Sequence, residues 1–212
     1  MDLGRQAGEI MGDIFPNLGR ERPVNIILAS GSPRRKELLK LAGLENFIVA
    51  PTEVDETIEE GATPDEVVRR LSQRKAAGAD FPSCDIVIAA DTVVCIDDRI
   101  LGKPRDENEA VEMLMQLSGR THIVYTGVTL RRGSKYLTEV ERTSVRFREL
   151  DDKEIHAYVK TGEPMDKAGA YGIQGRGCTF AEYLEGDYFN VMGLPMARLA
   201  MMLKKFGVML LK

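Results

Sequence analysis

Residues 24–43 read VNIILASGSPRRKELLKLAG. The apolar run from Val24 to Ala29 has the length and composition of a buried strand. Ser30-Gly31-Ser32 breaks it. Ser32 suits an N-cap and Pro33 the first helical position, and Gly43 supplies a stop after RRKELLKLA. A buried strand, a tight turn and a helix in that order open an α/β domain.

The same reading extends downstream. Phe47-Ile48-Val49-Ala50 forms a second strand, and Thr63-Pro64-Asp65-Glu66 is a capping box whose helix runs through Val67, Leu71 and Lys75. Asp85-Ile86-Val87-Ile88-Ala89-Ala90 is a buried strand expected to end at Asp91. Val93–Ile96 and Ile100-Leu101 pair as a hairpin about Asp97-Asp98-Arg99. Asp106 and Glu109 cap a helix with Ala110, Met113, Leu114 and Leu117 on one face. Segments 122–131 and 135–148 alternate apolar and polar residues across a turn at Arg132-Gly133-Ser134. Asp151 and Glu154 cap a helix ending near Gly162, and residues 164–191 are glycine-rich with short strand-like runs. Pro195 opens a last helix carrying Leu199, Met202 and Leu203. Alternation early and hairpins late indicate a mixed α/β sheet. Upstream, residues 1–23 form an extension in which Ile10, Ile14 and Leu18 keep helical spacing and Pro16 limits any helix to a short piece. The extension is expected to pack on the main body, which spans 24–212.

The 212 residues can bury a core without disulfides, and 43% hydrophobic with 29% charged residues argues against a disordered chain. The net charge of -4 argues against a protein that mainly grips nucleic-acid phosphates. Cys84, Cys95 and Cys178 are odd in number and scattered, which favours reduced, packed thiols over a disulfide framework. With only His122 and His156, a zinc cluster of histidines and cysteines is not indicated. No apolar run has the length of a membrane span, and the acidic residues among the first apolar ones fit neither a secretory signal nor a transit peptide. A cytoplasmic location is expected by elimination, with no membrane and no nucleic-acid partner.

Chemistry concentrates in a few places. Ser30-Gly31-Ser32 lets backbone N–H groups approach an anion at the positive end of a helix, and Arg34 and Arg35 beside it can each donate paired hydrogen bonds to phosphate. The plainer reading is a helix start with solvent-facing arginines. The turn lacks the spacing and the Lys-Ser/Thr of a P-loop. Asp91-Thr92, at the expected end of a buried strand, lies where α/β sheets bind ligands; otherwise Asp91 caps a turn. Glu53-Val54-Asp55-Glu56, after the second strand, can supply a carboxylate to a metal held by oxygen ligands and phosphates. Lys75 and Lys103 are cations that default to solvated surface charge. Asp166-Lys167 followed by Gly169, Gly172, Gln174 and Gly175 has the composition of a binding loop rather than a connector.

At these residues the chain resembles the Maf family of nucleoside triphosphate pyrophosphatases. The resemblance rests on ordered blocks: LASGSPRRKELL at 28–39, EVDE at 53–56, AADTVV at 89–94, LGKP at 101–104, LSGRTH at 117–122, EPMDKAGAYGIQG at 163–175 and GDYFNVMGLP at 186–195. It does not extend to the segment before Val24. It implies a mixed twisted sheet flanked by helices, with two lobes about a central cleft, akin to inosine triphosphate pyrophosphatases. It implies hydrolysis between the α and β phosphates of a nucleoside triphosphate, a divalent cation such as Mg or Mn, and a homodimer.

Matched block by block, Asp91 becomes the proton acceptor, with Lys75 and Lys103 as catalytic cations. Ser30, Ser32, Arg34, Arg35 and Lys167 bind substrate, and Asp55 with Asp91 holds the metal. The branch preferring dTTP and UTP has Arg, Thr and Gln at three positions, which are Arg34, Thr92 and Gln174 here. The 7-methyl-GTP branch pattern is absent. Hydrolysis of dTTP, UTP and 5-substituted uridine triphosphates is therefore expected. The rival readings are a non-catalytic nucleotide-sensing regulator of cell division and a nucleic-acid-binding protein. The full set of Asp91, lysines and arginines speaks against the first and the charge against the second.

Overall fold

A computed structural model describes residues 24–211. The expected helical piece at 1–23 lies outside the described residues. A seven-stranded mixed sheet runs in the order β2-β1-β3-β5-β6-β7. Its strands are β1 (Ile26–Leu28), β2 (Ile48–Val49), β3 (Ile86–Ile96), β4 (Arg99–Leu101), β5 (Thr121–Arg132), β6 (Lys135–Phe147) and β7 (Ala181–Glu185). β1 is parallel to β2 and β3; β3, β5, β6 and β7 are successively antiparallel. β4 pairs with the far end of β3, joined by a hairpin whose Asp97 and Asp98 both adopt positive φ.

The helices are α1 (Pro33–Leu41), α2 (Pro64–Ala77), α3 (Glu107–Leu117), α4 (Asp152–Val159), α5 (Tyr188–Val191) and α6 (Met196–Lys205). Thr63 and Glu66 form the full reciprocal capping box of α2. Asp106 and Asp151 accept the capping N–H groups of α3 and α4. Glu109 and Glu154 turn away to Arg105 and Arg148. Ser32 occupies the N-cap of α1 without a side-chain bond to the helix, and its own N–H goes to Ser30 Oγ at 3.2 Å. The strand-like runs expected in 164–191 are 3-10 turns at Glu163–Asp166, Ala168–Ala170 and Arg176–Thr179, followed by β7.

Strand alternation divides the core. Ile86, Ile88, Ala90, Val94 and Ile96 of β3 join one large cluster with α1, α3, α4 and α6. Val87, Ala89 and Val93 face the other way, against Val67, Val68, Leu71 and Ala76 of α2. α2 lies close to the sheet because Gly127 of β5 presents no side chain to it. An added Cβ there would meet the carbonyl oxygen of Val68 and stand 2.5 Å from its carbonyl carbon. Gly127 is the β5 partner of Asp91.

His122 is buried in the large cluster, edge-on to Phe147 and Tyr171. Its Nε2 stands 2.8 Å from the Tyr171 hydroxyl, and its Nδ1 has no partner among the described residues. Burial pushes its pKa down to about 3. Of the cysteines only Cys95 is packed; Cys84 is half-buried and Cys178 exposed, and all are free thiols. Among the described residues no helix is long and apolar enough to cross a membrane.

Candidate active site

The floor of the site is a gap along one edge of β3. β1 leaves this edge after Leu28, with a last bond from Ala29 N to Ile88 O, and β4 takes it up only at Val94. Asp91 and Thr92 lie between. The sequence placed Asp91 at the end of its strand, but β3 continues to Ile96. The continuous ladder to β5, from Val87–Arg131 to Cys95–Ile123, carries it past the Asp-Thr pair. The open edge nonetheless gives both residues access to ligand.

A cleft of about 620 Å³ opens over this gap. That volume suits a nucleotide-sized ligand. Its lining comes from the turn after β1 and the start of α1 (Ser30, Ser32, Arg34, Arg35) and from the loop before α2 (Thr52, Glu56, Ile58). Lys75 of α2, Lys103 beyond β4 and the segment 166–174 with Lys167 and Gln174 complete it. Ser30, Ser32, Arg34, Arg35, Lys75, Asp91, Thr92, Lys103, Lys167 and Gln174 are thus brought together. Asp55 is not. It is exposed, and its Oδ1 accepts from the N–H and hydroxyl of Thr57 at 2.9 and 2.5 Å; these bonds hold its pKa below the usual carboxylate range.

Its neighbour Glu56 is exposed as well, but its side chain turns to the cleft. Lys75 Nζ stands 2.6 Å from Asp91 Oδ1 and 2.7 Å from Glu56 Oε1. The Lys75 and Asp91 side chains retain only 14% and 12% exposure, so their attraction is weakly screened. The Lys75 hydrogen bond is the main force holding Glu56 below its ordinary pKa; Lys103 and Arg35 add to it. Lys75 reaches Asp91 because Val68, Ser72 and Lys75 share the sheet-facing side of α2. The loop carrying Glu56 is strapped to that helix. Arg74 donates to the carbonyls of Asp55 and Thr57 at 3.0 and 3.1 Å, and Arg70 pairs with Glu59.

Thr92, one residue on, points to the opposite face. Its hydroxyl accepts from Arg35 Nη2 at 3.1 Å and lies 2.9 Å from the Thr126 hydroxyl, which donates to the Asn190 carbonyl at 3.0 Å. Arg35 also donates from Nε to the Gly193 carbonyl at 2.7 Å and from Nη1 to Ser30 Oγ at 3.1 Å. Desolvation lowers the Arg35 pKa, and Asp91 opposes that shift. Arg35 is thereby fixed at one place by Ser30, Thr92 and Gly193. Among the described residues Arg34 has a single ion-pair partner, Asp166 Oδ2 at 3.2 Å, and Lys167 reaches the other oxygen of the same carboxylate at 2.6 Å. Lys103 forms no ion pair within 4.0 Å among the described residues. The cleft therefore sets Lys75, Arg34, Arg35, Lys103 and Lys167 around Asp91 and Glu56, a surplus of positive charge matched to a polyanion.

Sequence reasoning pointed to the segments that carry Glu56 and Asp166 but chose neither as a site residue. Both stand in quoted blocks beside residues that were chosen, but a loop has no period to show which carboxylate turns inward. Nothing in the sequence marked Thr126 or Asn190 as the support of Thr92.

Comparison with known proteins gives the family. The Maf-like protein family model matches residues 25–206. The chain belongs to the Maf family. A Bacillus cereus (strain AH820) protein named "dTTP/UTP pyrophosphatase" is 53% identical over 184 residues, covering 86% of this chain and 96% of that protein. A Bacillus cytotoxicus protein of the same name is 54% identical over 181 residues, covering 85% and 94%. Among solved structures, a HAM1 protein from Coxiella burnetii matches with a TM-score of 0.47 and 14% identity, over 86% of this chain and 100% of that one. A nucleoside-triphosphatase / dITP/XTP pyrophosphatase from Mycobacterium abscessus matches with a TM-score of 0.41 and 14% identity, over 85% and 95%.

Proposed function

We propose that this Maf protein hydrolyses dTTP and UTP, with 5-substituted uridine triphosphates, to the nucleoside monophosphate and pyrophosphate. The observation that carries the reading is the Asp91–Lys75–Glu56 cluster on the floor of a cation-lined cleft. The names of relatives more than half identical to the chain support the substrate.

Phosphoryl chemistry needs positioning and neutralised charge more than covalent work by the protein. Arg34, Lys103 and Lys167 hold the triphosphate, and Arg35, fixed by three partners, serves as a rigid donor to it. Lys75 offsets charge developing on the departing pyrophosphate. Asp91 Oδ1 is engaged by Lys75, whereas its Oδ2 has no hydrogen-bond partner among the described residues. That oxygen accepts the proton of the attacking water.

The donor set also fits a hard divalent cation. Asp91 and Glu56 are carboxylates a single ammonium apart, and Mg needs only one or two such groups together with substrate phosphates. Among the described residues no group of three or more His, Cys, Asp or Glu forms a metal cluster, so Asp91 and Glu56 would hold the ion with the substrate's help. When bound, the ion supplies charge neutralisation and a more acidic water. Asp55, facing Thr57, serves the loop rather than the ion.

Gln174 lines the cleft, and among the described residues its amide has no hydrogen-bond partner. An amide both donates and accepts, which suits the carbonyl and N3–H of thymine or uracil. Thr92 contributes to this preference by holding Arg35. A homodimer in the cytoplasm belongs to the same reading; sedimentation tests the first.

The test is pyrophosphate release from a panel of triphosphates with Mg or Mn, run beside Asp91→Asn. Loss of a general base costs about 10²–10⁴-fold in turnover. Release from dTTP and UTP, lost in a variant that still folds, is the expected result. A variant retaining a tenth of the activity removes Asp91 from this role. No release by the folded parent with metal moves the function to nucleotide sensing.

A further inference from the structure

The chain between Glu163 and Gly177 leaves the end of α4, forms part of the cleft wall and returns to its starting point. One carboxylate closes this excursion. Glu163 Oε1 accepts from the Tyr158 hydroxyl at 2.9 Å and from Gly177 N at 3.2 Å, and Oε2 accepts from Arg176 N at 3.0 Å. The Tyr158 hydroxyl in turn accepts from Gly172 N at 3.1 Å. The stretch carrying Gln174 is thus held at Gly172 on one side and at Arg176 and Gly177 on the other. Gly175, at φ +83°, lies directly on the carboxylate: an added Cβ would stand 2.7 Å from Glu163 Oε2. Between these anchors Ile173 and Gln174 both line the cleft; Ile173 belongs to the large apolar cluster, and the Gln174 amide has no hydrogen-bond partner among the described residues.

We infer that Glu163, with Tyr158, is a positioning residue that fixes where the Gln174 amide stands and thereby sets base preference. The inference rests on the reading of the cleft as a pyrimidine triphosphate site. Glu163 is absent from the cleft lining, so it acts through the loop and not on substrate. A carboxylate is required at this place because its oxygens accept three donors and offer none. In Glu163→Gln, an NH₂ group would oppose a backbone N–H or the Tyr158 hydroxyl, and the loop must move.

The experiment measures KM and kcat for dTTP, and the inhibition constant of inorganic tripolyphosphate, which meets only the cationic part of the site. Parent, Glu163→Gln, Gln174→Ala and the double variant are compared, with thermal unfolding as the check on folding. Losing a well-placed hydrogen bond to the base corresponds to roughly tenfold in affinity. The expected result is a KM for dTTP raised about tenfold in Glu163→Gln, a tripolyphosphate constant within twofold of the parent, and no further rise when Gln174 is already alanine. Tyr158→Phe, which removes only the bridging hydroxyl, shows the same pattern more weakly and carries the test if Glu163→Gln does not fold. An unchanged KM in a folded variant overturns the inference, as does an equal rise in the Gln174→Ala background or a parallel loss of tripolyphosphate binding. A parent that does not hydrolyse dTTP overturns the reading of the cleft and the inference together; an active parent with an indifferent variant overturns the inference alone.

Discussion

Gly127→Ala tests the link between packing and chemistry. Ordinarily such a change at a φ that alanine tolerates stabilises a protein by about 0.4–1 kcal/mol, through the unfolded chain. Gly127 is not among the positive-φ glycines, so this gain applies. The added methyl, however, would stand 2.5 Å from the Val68 carbonyl carbon, backbone that cannot swing aside. Carbon atoms in contact prefer about 3.5 Å, so α2 and β5 must separate by about 1 Å. Overpacking of this kind costs about 1–3 kcal/mol, which outweighs the entropic gain. Lys75 lies two turns beyond Val68 on the same helical face, so its Cα shares the displacement. Its ammonium is held 2.6 Å from Asp91 Oδ1, and a shift of about 1 Å takes that pair beyond normal hydrogen-bond length unless the flexible stem follows. A misplacement of about 1 Å can cost about 10²-fold in rate, and partial following by the lysine reduces this to about 10–100-fold. Urea unfolding gives the stability, and pyrophosphate release from dTTP gives kcat. A variant within about 0.5 kcal/mol of the parent and within about twofold in kcat would refute the claim that this close approach positions Lys75.

Other outcomes follow from the same geometry. His122 is held neutral in the fold, its pKa lowered from 6.5 to about 3, so the unfolded chain takes up a proton first as pH falls. Its contribution to stability is complete above pH 6.5 and is lost below it, about 1.5 kcal/mol between pH 6.5 and 5. In His122→Gln the stability–pH curve in that window should flatten by this amount, and an unchanged slope in urea titrations contradicts the assignment. Gln174→Glu replaces a donor with an acceptor-only group and should raise the KM for dTTP while leaving tripolyphosphate inhibition in place; equal dTTP kinetics refute the base contact. Thr92→Val removes the hydroxyl that Arg35 donates to, and Thr92→Ser restores it. Turnover should fall about tenfold in the first and recover in the second, the net value of one charge-assisted hydrogen bond; no difference between them refutes the support of Arg35.

Local grammar made most elements legible. The strand, turn and helix at 24–43, the Thr63–Glu66 box and the Asp97-Asp98 hairpin each depend on residues close in sequence, and each formed as read. The extent of β3 did not, because its continuation past Asp91 depends on a β5 partner some 35 residues away. The 3-10 turns of 163–179 were equally hidden: they are held by Glu163 and Tyr158, not by a periodic pattern. Within the site, residue types at block positions pointed to the right neighbourhood. Which of two adjacent carboxylates turned inward was decided by Arg74, whose bonds to the carbonyls of Asp55 and Thr57 hold the loop, and by Thr57, which binds the Asp55 carboxylate.

The alternation of β3 at the open edge has a wider consequence. Asp91 sits on the face that meets α2, and Thr92 on the face that meets Arg35, Thr126 and the 190–193 segment. The Asp91 and Thr92 side chains are therefore held by separate layers of packing that share one strand and meet again at Arg35, whose charge feels Asp91. Side chains in the Thr92 layer can be exchanged without repacking the α2 layer. A single strand thus works as a two-sided board: the packing behind either face can change by itself, while Arg35 carries a change on the Thr92 side across to the cleft.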